Sequence, residues 1–451
     1  MTSTPTDSSD LLNFLDDLLK SAKAAGAEAA DAIAVESRSL SAAQRLGQPE
    51  RMERSESQDL GLRVFVGKRQ AIVSTSDRNP DTIRELTERA VAMARVAPED
   101  SFAGIADPEQ VAREIPDLDL CDWEEPAAEV MIERARLAEE AALAVEGVTN
   151  SEGGAAGWGL SRIALMATNG FAGAYARSSH SVSAVALAGS GTGMERDYDY
   201  SSVVHGSDLD SPEEIGRRAG ERVVRRLNPR KTGTARVPVV FEQRLAGGLV
   251  RHFAGAINGA AIARGTSFLK DKLGQKIFGD GISIVDDPLR RRGLASKPFD
   301  GEGIAGQKRS FVADGVLQGW FLDLHSARHL GIETTGHAAR GTSSPPSPSP
   351  TNLYLEPGSV SPEELMADIE QGLFVTELIG MGVNLVTGDY SRGAAGFWIE
   401  NGKIAYPVSE ITIAGSLKDM FMALVPANDL VFRAGTNAPT TRIDGMTVAG
   451  Q

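Results

Sequence analysis

The strongest local constraint in this 451-residue chain is the pair Asn401-Gly402, set between two apolar-rich runs at 394–400 and 403–408. A type I′ turn needs positive φ at both central positions, and Asn-Gly provides it with little strain. The two runs are therefore expected to form a β-hairpin. Phe397 and Ile399 alternate with Trp398 and Glu400, so the first strand has one face for a core and another for a different neighbour. The run before it, Gly388-Asp389-Tyr390-Ser391-Arg392-Gly393, mixes glycines with an acid, a base and two hydroxyls. It reads as a polar loop. Two roles are open to it: contact with a ligand or partner, or a surface turn holding a local Asp389–Arg392 ion pair.

A chain this long exceeds the size at which one hydrophobic core keeps growing, so two or three domains are expected. With 41% hydrophobic and 24% charged residues it has the composition of a soluble globular protein. The net charge of −15 repels phosphates, which argues against a nucleic-acid binder or an anionic-membrane binder. Two basic runs, residues 217–231 and Arg290-Arg291-Arg292, read as solvated faces. The single cysteine, Cys121, lies among Asp117, Asp119, Asp122, Glu124 and Glu125, whose charge suppresses the thiolate; it reads as structural. The N-terminus lacks the basic start of a signal peptide, and no apolar run is long enough to span a bilayer, so a cytoplasmic location is expected.

Residues 1–9 read as disordered, followed by an amphipathic helix at 10–25. Strands are expected at 31–40, 60–66 and 70–75. Asn79 and Pro80 open a helix to 96, an acidic loop covers 98–126, and a helix covers 126–145. From 148 to 204 four short strands (149–156, 161–168, 172–179 and 182–188) suggest an antiparallel meander, with Asn169-Gly170 as a turn. The run 189–193 lacks phosphate-loop spacing and reads as a flexible turn. Ser211 and Ser361 each open a capped helix. A strand at 237–241 precedes one Gly/Ala-rich helix at 243–263. A further strand (282–285), a hairpin over Asp314-Gly315 and an extended, exposed Ser/Pro loop or lid at 343–350 follow. Strands dominate 372–413, and a helix covers 416–424.

The six histidines offer no HExxH pair. His325 and His329 have i, i+4 spacing but no glutamate between them in the position of a general base. His252 lacks a second ligand on its helix, and His337 follows a glycine where it could contact a ligand. No GxSxG is present. Residue chemistry alone thus gives a soluble multi-domain α+β protein without a recognisable catalytic constellation.

Several stretches together resemble one family: Gly61 to Val66 with Lys68-Arg69-Gln70-Ala71, Gly193-Met194-Glu195-Arg196-Asp197-Tyr198, Gly265-Thr266-Ser267, Gly336-His337-Ala338, Asn352-Leu353-Tyr354, and above all residues 388–415. The chain resembles the TldD/PmbA family, and within it the PmbA (TldE) branch. The resemblance implies an N-terminal mixed α/β domain (1–120), an antiparallel central region (121–230) and a β-rich C-terminal domain (235–451). It also implies a cytosolic heterodimer in which a TldD-type catalytic subunit carries zinc on an HExxxH helix and degrades or processes unfolded or modified peptides. This sequence departs at the ligands: Phe253 replaces the glutamate and Ile257 the second histidine, and no cysteine follows Cys121. The chain is therefore expected to bind no cofactor and to serve as a non-catalytic subunit. Asp389, Tyr390, Ser391, Arg392, Gly393, His337 and Asn352 are expected to contact an extended peptide or the partner. Two alternatives stay open: a self-sufficient metallopeptidase using an unusual set such as His325, His329 and His337, or a homodimeric peptide-binding protein.

Overall fold

The computed structural model describes residues 8–450; the expectation of disorder at 1–9 falls, apart from Ser8 and Ser9, outside them. Helix α1 (Ser9–Ala24) buries Leu11, Leu15 and Leu18 on one face. Each side chain of this size contributes about 2 kcal/mol on leaving water. Strands β1 (Ala29–Arg45), β2 (Gln48–Val66) and β3 (Arg69–Thr75) follow, then α2 (Pro80–Val96), whose N-cap Asn79 accepts the Asp81 N–H. After the long acidic loop come α3 (Ala128–Leu143), β4 (Val148–Ala167), β5 (Ala172–Ala188), β6 (Glu195–Val203) and α4 (Pro212–Arg225). All six strands form one sheet in the order β3-β2-β1-β4-β5-β6. It runs without interruption through both the first and second of the expected stretches.

Alternation along β1 sets the layers. Ala30, Ala32 and Ala34 face α1 and α2, and their small size lets the helix leucines sit close; Leu40 and Ala42, on the same face, meet α3. On the opposite face Ile33 joins Phe171 and Phe299, and Asp31 meets the C-terminal half through Arg340.

The meander strands are longer and fewer than the sequence suggests: the four short runs are the two long strands β4 and β5. Gly157 and Gly159, in the gap between the runs 149–156 and 161–168, lie inside β4; Gly154, within the first run, has a packing role. A side chain at Gly154 would fall 2.1 Å from the Ala135 carbonyl, so this glycine admits α3 to the sheet. Likewise the polar stretch 41–59 extends β1 and β2 into a long hairpin. Residues 48–58 are exposed and carry no apolar alternation to signal a strand.

The C-terminal half begins with β7 (Ala235–Phe241), α5 (Gln243–Ala256) and α6 (Gly259–Ala263). The single expected helix is broken at Asn258, whose side chain accepts N–H groups of Ala260 and Ala261 and so starts a second helix. Next come β8 (Ile284–Asp286), β9 (Arg309–Ala313), β10 (Val316–Leu317), α7 (Leu324–Leu330), β11 (Ala338–Ala339), β12 (Ser347–Pro348), β13 (Leu353–Leu355) and α8 (Pro362–Met366). The Ser/Pro stretch is not a free lid. Its β12 pairs with β11, and the Ser349 N–H donates to the His337 carbonyl. The chain ends with β14 (Gln371–Ile379), β15 (Asp389–Glu400), β16 (Lys403–Ser416), α9 (Leu417–Met422), β17 (Leu424–Pro426), β18 (Thr436–Asn437) and β19 (Thr441–Ala449). The expected hairpin is β15–β16, with φ of 49° at Asn401 and 76° at Gly402. Because β16 pairs with β19 as well as β15, the strands β16-β15-β14-β7-β19 close into a barrel. A smaller sheet, β10-β9-β8-β13-β18, packs beside it. Phe253 of α5 joins Val239, Leu373 and Ile413 in the shared core.

Buried charges join the two halves. Asp31 is held by Arg63 of β2 and by Arg340, which follows β11. Burial would raise its carboxyl, but the charges of Arg340 and Arg63 outweigh that and hold it below its ordinary range. On β6, Asp197 pairs with Arg244 of α5 at 3.1 Å, and Asp199 with Arg433 at 3.5 Å. The basic run 217–231 is a solvated face only in part: Arg217, Arg225, Arg230 and Lys231 are exposed, whereas Arg218 and Arg222 turn to Asp199, and Arg226 to Glu195 and Glu377.

Two predictions follow from these charges. Arg340→Met removes one of the two counter-charges of a buried carboxylate and should cost about 3–5 kcal/mol in urea unfolding. Glu302, beside Arg63, has its carboxyl raised from 4.5 to about 8 by burial and then by Asp300. The folded state therefore keeps a proton that the unfolded state has released, and stability falls as pH rises from about 5 to 8. Glu302→Gln keeps an acceptor for the Leu324 N–H and should flatten that fall in a series of thermal melts.

Candidate functional site

The expected polar loop at 388–393 is, from Asp389 onward, the opening of β15. Asp389 to Ala394 pair with Ser416 to Ile411 of β16. Strand periodicity then decides where each side chain goes. Tyr390, 2% exposed, enters the barrel core, while Asp389 and Ser391 face solvent. Asp389 and Arg392 are three apart and lie on opposite faces of the strand, so the local ion pair does not form. Asp389 instead accepts the Thr387 hydroxyl at 2.6 Å. The Arg392 Nη2 reaches only the Leu378 carbonyl, at 3.5 Å, and its Nε has no partner among the described residues. Gly393 pairs with both Thr412 and Ile379.

Across from this strand stands His252 of α5. Its ring meets Tyr390 edge-on, with centroids 5.9 Å apart. Burial, then the charges of Arg392 and Arg251, push the imidazole down to about 4. Burial raises the Tyr390 phenol. The position therefore offers a neutral imidazole, a neutral phenol and guanidinium groups.

A divalent metal does not fit there. Zinc takes imidazole, thiolate or carboxylate donors, and Phe253 and Ile257, where the resemblance puts a glutamate and the second histidine ligand, are wholly buried apolar side chains. Among the described residues no three of His, Cys, Asp and Glu are placed to hold a metal ion. The alternative set falls apart as well. His325 bonds Asp100 at 2.9 Å, and His329 stacks on Phe102. His337 is 0% exposed, with Nε2 on Asp286 at 3.1 Å and Nδ1 on the Thr335 carbonyl at 2.8 Å.

His337 and Asn352 make their side-chain hydrogen bonds in and around the small sheet and none of them to β15, and so act as braces. Asn352 accepts the Ala295 N–H at 3.0 Å and donates to the Asp287 carbonyl and the Ser296 hydroxyl, both at 2.7 Å. Every polar atom of its side chain is used. Cys121 is half-buried, and burial and Asp122 push its thiol up to about 12, so it is no nucleophile.

One feature of this region is not legible as a site in the sequence. The turn at 380–388, between β14 and β15, exposes a cluster of apolar side chains. Ile379, Val386 and Met381, the last 93% exposed, point outward, while Val383 and Leu385 pack inward. The Ser391 N–H donates to the Gly382 carbonyl at 2.7 Å, which ties the turn to β15. A methionine between two glycines within a strand-rich stretch is the only signal the sequence offers.

Comparison with known proteins matches three family models in series: PmbA/TldA metallopeptidase domain 1 (residues 30–94), central domain (121–227) and C-terminal domain (234–450). The metalloprotease PmbA of Escherichia coli O157:H7 is 39% identical over 96% of this chain and 94% of its own. The PmbA homolog of Haemophilus influenzae is 37% identical over 91% and 90%. That same strain also has a TldD homolog, which is 27% identical over 48% of each chain. The crystal structure of TldE from Thermococcus kodakarensis superposes with a TM-score of 0.88 at 20% identity, covering 97% of this chain and all of that one, which speaks for the fold alone. No helix among the described residues is long and apolar enough to cross a membrane. With its domains matched in order and its identity to PmbA carried along nearly the whole length, the chain belongs to the PmbA/TldD metallopeptidase family, on the PmbA/TldE branch.

Proposed function

We propose that this chain is the non-catalytic subunit of a two-chain metallopeptidase that acts on unfolded or modified peptides in the cytoplasm, with zinc carried by a TldD-type partner. The observation that carries the proposal is the donor set at α5. Where a catalytic member needs a glutamate and a second histidine, this chain places Phe253 and Ile257 in its core and leaves His252 neutral beside cations. The presence of both a PmbA and a TldD homolog in one relative's organism supports a pairing.

The rim formed by Ile379, Met381 and Val386 is the surface on which the partner would dock. Exposed apolar clusters of this kind mark interaction sites. Asp389, Ser391 and Arg392, on the adjoining strand, would then lie near the junction and orient a peptide backbone or the partner.

The chain alone, exchanged into zinc and dialysed, should retain no stoichiometric metal and cleave no unfolded peptide. Stoichiometric zinc with hydrolysis would end the proposal. Arg392→Ala should weaken partner-dependent hydrolysis by about tenfold, the loss of one charge-assisted contact, with the melting temperature unchanged. Full activity of that variant would remove β15 from the working surface.

A further inference from the structure

The sheet face turned away from the helices is not sealed everywhere against the C-terminal half. Between Ile33 and Val35 of β1, Ile163 and Leu165 of β4, Tyr175 and Arg177 of β5, and the segment 294–301 with β11, lies a cavity of about 330 Å³. The strand registers set its floor. Ile33 pairs with Leu165, Val35 with Ile163, and Ile163 with Tyr175, so alternate residues of three neighbouring strands share this face. Phe299, which meets Tyr175 edge-on with centroids 5.3 Å apart, adds to the apolar lining. The volume lies at the lower end for small-ligand sites, which are mostly apolar with a few placed polar groups.

Two half-buried cations, Lys297 and Arg177, line this cavity without a carboxylate partner. The Lys297 ammonium donates to the Ala338 carbonyl at 3.1 Å, and the Arg177 Nη2 donates to the Leu294 carbonyl. Among the described residues neither forms an ion pair. The carboxylates whose charge reaches Lys297 are spent elsewhere. Asp300 accepts the N–H groups of Glu302, Ile304 and Ala338, while Asp286 accepts the Thr351 N–H and holds His337. Burial lowers the Lys297 ammonium against Asp300 and Asp286, and Arg177 lowers it further. Arg340 also lines the cavity, but its guanidinium is wholly buried and bound to Asp31, so its charge acts from behind the wall. Cations taken out of water are costly unless matched, and a chain with a net charge of −15 has carboxylates to spare. We propose that the cavity is a binding site for a small carboxylate with an apolar body. Arg177 and Lys297 hold the carboxylate, and the body lies against Ile33, Leu165 and Phe299. A guanidinium presents paired N–H donors that match a carboxylate. The apolar floor selects against an inorganic oxyanion, which has no surface to bury there. A free branched-chain acid and the C-terminal residue of a peptide both offer this chemistry. The site lies within one chain and does not depend on the proposed catalytic partner.

Isothermal titration of the purified full chain with 4-methylpentanoate tests it. Saturable binding at one site per chain is expected. The uncharged 4-methylpentanamide and inorganic phosphate should each bind about tenfold more weakly or not at all, for want of the charge or of the apolar body. Lys297→Met and Arg177→Met should each weaken the acid by about tenfold. Val35→Phe leaves both cations in place and fills the cavity, so it should abolish binding; it also keeps the test decisive if either methionine variant fails to fold. A tripeptide ending in leucine separates the two sources. Binding equal to that of the acid assigns the site to chain ends, and failure to bind assigns it to free acids; the carboxylate site holds in both cases. Absence of saturable binding by both the acid and the tripeptide overturns the proposal. So does equal binding of the amide or of phosphate, or undiminished binding by folded Val35→Phe.

Discussion

The placement of the two halves depends on Asp31. It is a carboxylate in the interior of a β-strand, on the face turned from the helices, and it finds its counter-charges in Arg63 of its own sheet and Arg340 of the other half. Neither half alone balances that charge in this way. A buried ion pair contributes little net stability compared with an apolar contact, but an unpaired one is costly. Its effect is therefore to penalise any other docking of the sheet on the barrel. Asp197 and Asp199 do the same at the far edge, through Arg244 and Arg433. The contact of His252 with Tyr390 is made within the C-terminal half itself, where α5 and β15 share one core.

Local signals in the sequence were reliable where the backbone itself imposed the choice. Asn401-Gly402, Asn79-Pro80 and the Ser361 capping box all mark the turns or caps they announce. Signals that depend on a distant partner misled. Polar residues at 389–393 read as a loop because nothing local shows that Tyr390 enters a barrel core while its neighbours stay in water. Gly157 and Gly159 read as a gap between two strands because β1 and β5, which pair with them on either side, lie elsewhere in the chain. Arg218 and Arg222 of α4 read as part of a solvated face because their aspartate comes from β6. The break at Asn258 was hidden because Asn can be tolerated within a helix, and only its bonds to Ala260 and Ala261 mark it as a cap.

The candidate site was legible in outline. The missing glutamate and second histidine, at Phe253 and Ile257, are visible in the sequence, and the structure gives their absence a physical content: both are core side chains, so restoring either would bury a polar group in an apolar interior. What the sequence hid is that His337 and Asn352 are braces, with their hydrogen bonds spent within the fold, and that an apolar turn around Met381 lies next to the strand on which the expected contact residues stand.

The central question is which chain carries the chemistry once the two are assembled. The direct measurement is to mix this chain with the TldD-type chain of the same organism, isolate the complex by size exclusion, and determine zinc and peptide hydrolysis before and after assembly. A co-eluting complex is expected, with zinc stoichiometric to the partner chain and hydrolysis absent from this chain alone. Separate elution at micromolar concentration, or zinc that follows this chain, would contradict it.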